Sequence, residues 1–182
     1  MIETNDFPEE MSEVVSFHGH FCPGLAIGYR AATAAMARIA PKRAEDEELV
    51  AIVENRSCSV DAVQVITGCT LGKGNLFLHD YGKQVFTLVS RSTGEGVRVA
   101  LRAGLARPKL EDGSTDRKRW ADDLLRLADD EIFAIDTQSI EIPPKATIHA
   151  SLVCARCGEQ MMETLAREID GETCCIPCSE GR

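Results

Sequence analysis

The sequence predicts an α+β protein: helices packed on a mixed or antiparallel sheet, followed by a small cysteine-rich appendage. Three observations carry that reading. Segments with helical spacing of apolar residues alternate with short β-branched runs as far as Ile142. Several of the strand candidates follow one another through tight glycine-containing turns, which suits antiparallel neighbours better than a doubly wound sheet. Beyond Lys145 the cysteines come in pairs and no apolar periodicity continues. The expected division is a core over 1–144 and a tail over 145–182.

Residues 8–17 place Met11, Val14 and Val15 at i, i+3, i+4 spacing, a short amphipathic helix. The next helix runs from Pro23 to about Ile39. Its Leu25, Gly28, Ala32, Ala35, Met36 and Ile39 form one stripe, and the small residues allow a neighbour to approach closely. Pro41 stops it, and Lys42–Glu48 reads as a charged surface turn. Leu49–Val53 is a buried strand. Ser57-Cys58-Ser59 caps a helix over Val60–Thr67, which Gly68 closes in the left-handed conformation. Asn75–Leu78, Gln84–Ser90 and Gly96–Leu101 follow as strands. Ser114 or Thr115 then opens a helix carrying Trp120, Leu124 and Leu127, and Phe133–Ile142 is extended up to Pro143-Pro144.

Composition narrows the function. The chain has 182 residues, 44% hydrophobic and 27% charged, with a net charge of −9. That charge leaves no basic face to replace phosphate counterions, so nucleic acid is not an expected partner. The Arg117-Lys118-Arg119 run is short and reads as a solvated helix face. No apolar stretch is long enough to cross a bilayer, and Met1–Asp6 lacks the features of a signal peptide. The expected location is the cytoplasm, where thiols stay reduced.

Eight cysteines in such a compartment point to metal rather than disulfides. Cys154-x-x-Cys157 and Cys175-x-x-Cys178 match the spacing of two knuckles that converge four thiolates on a tetrahedral Zn²⁺, as in a zinc ribbon. A rubredoxin-like iron site uses the same ligands. Cys174 is read as a bystander.

The second constellation is Phe17-His18-Gly19-His20-Phe21-Cys22-Pro23-Gly24. Pro23 suits the first helical position, which makes Cys22 the N-cap, where free N–H groups favour a thiolate. Cys22 is then a nucleophile or part of a metal site. Cys58 also lies at a helix start, so His18, His20, Cys22 and Cys58 can share one pocket, and Cys69 is taken to line it. This mixed nitrogen and sulfur set suits Zn²⁺ or another transition metal with a position left open. The glycine-rich loop from Gly68 to Asn75 fails as a P-loop, because its glycine spacing is wrong and Gly74 follows Lys73. It can still present Lys73 to an anion. His79 and His149 read as structural.

These residues resemble a known family. His18-Gly19-His20-Phe21-Cys22-Pro23-Gly24, Asp61-Ala62-Val63-Gln64, Thr67-Gly68-Cys69-Thr70 with Gly72-Lys73-Gly74-Asn75, and the paired knuckles are similar to the FmdE-like proteins, which take their name from formylmethanofuran dehydrogenase. The resemblance implies a core like the catalytic domain of glyceraldehyde-3-phosphate dehydrogenase, a zinc-binding tail and homodimers. It places the site at His18, His20, Cys22, Asp61, Cys69 and Lys73.

The first functional expectation is an accessory, metal-binding protein linked to molybdenum or tungsten oxidoreductases, whose subunits are the expected partners. The second is a stand-alone enzyme acting on a small anionic carbonyl compound. In it Cys22 attacks or polarises the carbonyl, His18 or His20 moves the proton, Asp61 belongs to the site and Lys73 holds the anion. The third is a redox or metal sensor whose tail docks a partner.

Overall fold

Two helices open the part of the chain that the computed structural model describes, residues 7–39 and 42–182: α1 (Glu9–His18) and α2 (Pro23–Ile39). The helix stop assigned to Pro41, and the Met1–Asp6 segment, lie outside the described residues. Gly19 ends α1 with φ 95°, its N–H donating to the Val15 carbonyl at 2.8 Å. Without a Cβ it adopts this left-handed turn freely. The chain then reverses over three residues into Pro23 of α2.

Strand β1 (Leu49–Val53), helix α3 (Ser59–Thr67) and strand β2 (Leu76–Leu78) form a crossover unit, and β1 pairs with β2 in parallel. The remaining strands, β3 (Val85–Ser90), β4 (Glu95–Leu101) and β5 (Phe133–Ser139), extend the sheet antiparallel in the order β2-β1-β3-β4-β5. Between β4 and β5 lie α4 (Arg117–Arg126) and a one-turn helix α5 (Asp129–Ile132). The architecture is therefore α+β with a mixed sheet.

Helix α4 starts later than the Ser114 or Thr115 read from the sequence. Asp112 holds the Ser114 hydroxyl at 2.6 Å, and Asp116 takes the cap instead, accepting from the Arg119 N–H at 3.0 Å. The basic run Arg117-Lys118-Arg119 is exposed on its first turn. The extended segment after Phe133 ends as a strand at Ser139, short of Ile142.

The main apolar core lies between the sheet and the helices. Ala51, Val53, Leu88, Val97, Val99 and Phe133 meet Ala31, Ala32 and Ala35 of α2, Val63 of α3 and Leu124 of α4. A second cluster joins Met11 and Val14 of α1 to Leu25 and Tyr29 of α2 and Ala62 of α3, with Cys22 inside it. Arg30 of α2 donates to the carbonyls of Leu124 and Leu127, each at 2.7 Å, and so ties off the end of α4.

Helix α2 touches α3 backbone to side. A methyl group on Gly28 would run into the Ser59 carbonyl oxygen and lie 2.6 Å from the Ser59 Cα, and one on Gly24 would lie 3.2 Å from the Cys58 Cβ. These two glycines set the distance between the helices.

A second compact unit begins after Lys145. It holds two hairpins, β6 (Ser151–Val153) with β7 (Gln160–Met162) and β8 (Arg167–Ile169) with β9 (Glu172–Cys174), and a terminal turn of helix, α6 (Ile176–Ser179). Ile148, Leu152, Val153, Met162 and Leu165 are all exposed, and Cys154 and Cys174 are its buried residues among those described. No apolar core holds this unit together.

Gly28→Ala should destabilise the first unit by about 1–3 kcal/mol, the usual penalty for overpacking, because the obstacle is backbone and cannot rotate away. Denaturant unfolding checks this. A loss within experimental error would show that the helices have room to separate.

Candidate functional site

Gly19 and Pro23 place His18 at the last turn of α1 and Cys22 immediately before α2. The Leu25 N–H donates to the Cys22 sulfur at 3.4 Å, the geometry of an N-cap side chain. Cys58 is the N-cap residue of α3, but its side chain makes no capping bond. Its thiol meets Cys22 instead. The cap expected from Ser57-Cys58-Ser59 is thus replaced by a turn, in which the Val60 N–H donates to the Ser57 carbonyl at 3.0 Å.

The start of α3 is pinned by a polar network that the sequence reading did not find. Ser57 Oγ and Ser59 Oγ lie 2.8 and 3.1 Å from the Asn55 side-chain oxygen, and Gln84 Nε2 donates to Ser57 Oγ at 3.0 Å. Asn55 Nδ2 donates to the Lys83 carbonyl at 2.7 Å. The sequence offered little sign of this beyond an asparagine just before a helix start.

Three ligand atoms converge here. The donors of His18, Cys22 and Cys58 lie within 4.8 Å of one another. His18 Nδ1 is 2.7 Å from Asp61 Oδ2, so the carboxylate fixes the ring. His18 Nε2 is buried with no hydrogen-bond partner. A buried orphan nitrogen beside two sulfurs, with its other ring nitrogen held by a carboxylate, is the arrangement of a metal-ligating histidine. The residues fit a metal with three protein ligands and one open position. Burial, followed by contact with Cys22, raises the Cys58 pKa in the metal-free protein.

The other residues expected at this site are placed differently. His20 is exposed and outside the ligand group, its ring centroid 4.6 Å from that of His18. Cys69 is fully buried in the main core, and burial pushes its thiol up. Lys73 donates to the carbonyls of Ala44 and Glu45, each at 3.3 Å. Both residues follow the C-terminal end of α3, whereas Cys58 stands at its N-terminus. At about 1.5 Å per residue the helix itself separates the two ends by more than about 10 Å. The glycine-rich loop is instead stapled by the buried Asn75, which donates to the carbonyls of Asp46 and Leu49 and accepts from the Thr70 N–H. His149 lies 3.6 Å from Glu163, and the exposed His79 ring faces Tyr81.

In the second unit Cys154, Cys157, Cys175 and Cys178 bring four sulfurs within 4.8 Å of one another. Gly158, at φ 76°, closes the first knuckle, its N–H donating to the Cys154 carbonyl at 2.9 Å. Cys175 and Cys178 bracket the start of α6. The Cys157 and Cys175 sulfurs are 3.8 Å apart. Metal–sulfur bonds of about 2.3 Å at tetrahedral angles give about that separation. Cys174 is buried but stands outside the group. The N–H groups of Cys157 and then Cys175 hold the Cys154 thiol down to about 6, while Cys175 and then Cys157 push Cys178 up to about 12.

The fold and the two sulfur clusters define an α+β protein with a four-cysteine appendage that can hold a metal ion. Residues 17–134 match the family model described as FmdE, Molybdenum formylmethanofuran dehydrogenase operon, and the chain belongs to that family. It is 32% identical over 189 aligned positions to a Probable S-adenosyl-L-methionine-binding protein of Archaeoglobus fulgidus. The alignment covers 90% of this chain and 50% of that relative, so the chain spans about half its length. The crystal structure of an FmdE-like protein of tungsten formylmethanofuran dehydrogenase, from Syntrophus aciditrophicus, superposes with a TM-score of 0.70 at 26% identity, covering 98% of this chain and 96% of that one.

Two outcomes test the tail. Cys157→Ser should unfold the second unit while the first retains its cooperative melting, read by calorimetry; a first unit that melts with it would contradict the division. Zinc must displace the proton that Cys178 holds up to about 12, whereas Cys154, at about 6, is already largely thiolate at neutral pH. Apparent zinc affinity should therefore fall as pH is lowered, and more steeply below about pH 6, where Cys154 also takes up a proton. Chelator competition across pH measures the slope.

Proposed function

We propose that the protein is a two-metal member of the FmdE family, with structural Zn²⁺ in the tail and a transition metal held in the core by His18 Nε2, Cys22 and Cys58. The buried, unpartnered His18 Nε2 facing two sulfurs is the observation that carries the core site. The tail ion completes a closed tetrahedron and stabilises the fold, whereas the core ion keeps a position open for an exogenous ligand. Asp61 orients His18, and the exposed His20 stands at the mouth, where it can exchange protons with solvent.

The family description and the Syntrophus relative support an accessory role beside molybdenum or tungsten formylmethanofuran dehydrogenase-type oxidoreductases. Homodimers, a cytoplasmic location and a core like the catalytic domain of glyceraldehyde-3-phosphate dehydrogenase belong to the same proposal. Among the described residues no helix is long and apolar enough to cross a membrane. The open core position favours a second reading, a metal-dependent enzyme acting on a small carbonyl compound. In that reading Cys22 and Cys58 are metal ligands, and Lys73 is not the anion-holding group. The Archaeoglobus relative makes S-adenosyl-L-methionine the first organic ligand to titrate.

Elemental analysis of metal-replete protein purified without oxygen, alongside Cys22→Ala, tests the core site. Two metals per chain should fall to one. One metal in both proteins would leave the tail as the sole centre and remove the core-metal reading. Cys22→Ala should lower stability by no more than about 1–2 kcal/mol; a larger loss in denaturant unfolding would assign Cys22 to packing.

A further inference from the structure

We infer that Cys22 and Cys58 also form a redox-modification site: a dithiol that a peroxide-class oxidant converts to an intramolecular disulfide whenever the core metal is absent. The competition between metal and oxidation rests on the core-metal reading. The dithiol itself stands on geometry.

The two sulfurs lie within 4.8 Å of each other, and the Cys58 thiol is in hydrogen-bonding contact with Cys22. A disulfide needs about 2.05 Å, a gap that side-chain rotation can close without moving backbone when the Cβ atoms already face each other. Metal binding is not what brings these sulfurs together. The approach is built into the packing, because Gly24 sits against the Cys58 Cβ and Gly28 against Ser59. Loss of the ion therefore leaves both thiols in place.

Exposure sets the order of events. Cys22 is 5% exposed and Cys58 is half-buried, so a small oxidant meets Cys58 first. The Cys58 thiolate attacks one peroxide oxygen, the O–O bond breaks, and Cys58 sulfenic acid and hydroxide form. The Cys22 thiolate, stabilised by the Leu25 N–H, then attacks the Cys58 sulfur. The S–S bond forms, the S–O bond breaks, and water leaves. Across both steps two thiols and one hydrogen peroxide become one disulfide and two waters. Cys69, fully buried in the main core, has no such access and serves as an internal control.

The same two sulfurs cannot ligate a metal and bond to each other. Oxidation would close the site to metal, and bound metal would shield the thiols, so the centre reports its own loading.

The test uses the full chain in two forms: zinc-loaded wild type, and His18→Ala, which removes one core ligand but keeps both sulfurs and the tail. Each is challenged with one equivalent of hydrogen peroxide, quenched with iodoacetamide and mapped by peptide mass. In His18→Ala a Cys22–Cys58 cross-linked peptide, lighter by two hydrogens, should form, with Cys69 recovered as the alkylated thiol after unfolding. In zinc-loaded wild type the link should form more slowly by at least about tenfold, because coordinated thiolate is shielded. Chelator-treated wild type repeats the measurement in case His18→Ala fails to fold. A Cys58 that ends as sulfinic acid, or linked to a tail cysteine, in both metal-free forms overturns the inference. Equal rates in zinc-loaded wild type and His18→Ala would instead overturn the core-metal reading while leaving the dithiol intact.

Discussion

The close approach of α2 to α3 is the constraint on which the core site depends. At Gly28 the two helices meet with no side chain between them, and at Gly24 there is just enough room for the Cys58 Cβ. A helix start is where backbone N–H groups are left without intrahelical partners. Bringing two such starts together places two cysteines and their surrounding donors in one small volume. α1 supplies the third group, because Gly19 ends it one residue after His18 and turns the chain back toward α2. Asp61, one turn into α3, then fixes the imidazole. Remove the glycines and the same side chains would be scattered over separate helix ends.

The two sulfur clusters solve different physical problems. In the second unit the apolar residues lie at the surface, so hydrophobic burial contributes little and the four thiolates have to supply the cohesion. A bound structural zinc is worth about 10–16 kcal/mol in small finger peptides, more than enough to order a unit of this size. The core cluster is the reverse case. There the framework is already made by the sheet, the alanine-rich face of α2 and the Met11–Val14–Leu25 cluster, and any ion enters a site that packing has prepared. The tail offers four protein ligands and the core three, which is why chemistry is assigned to the core.

Much of this was legible in the sequence for identifiable reasons. α2 and β1 carry strong periodicity and clear ends, and their observed spans coincide with those read from the residues. The paired knuckles were legible because a Cys-x-x-Cys turn is local: its geometry is set by four consecutive residues and a following glycine. His18, Cys22 and Cys58 were legible as candidates because each sits beside a helix terminus that the residues around it mark. The start of α4 was less so, since Asp112 and Asp116 compete with Ser114 and Thr115 for the cap and only the folded turn decides between them. The network of Asn55, Ser57, Ser59 and Gln84 left no pattern to find, because it joins residues from a loop, a helix start and the edge of β3.

By itself the sequence determined the α+β class, the helix ends that hold His18, Cys22 and Cys58, and the four-cysteine tail, because each follows from short-range periodicity, capping or ligand spacing. Membership of the core site was decided by tertiary structure alone. Cys69 and Lys73 stand in the same motif-rich stretch as Cys58 and Asp61, yet the length of α3 carries them to the other end of the helix, one into the apolar core and the other onto the Ala44 and Glu45 carbonyls. Proximity in sequence says which residues share a turn. Which of them share a site depends on how α1, α2 and α3 are brought together, and that is a property of the packed molecule.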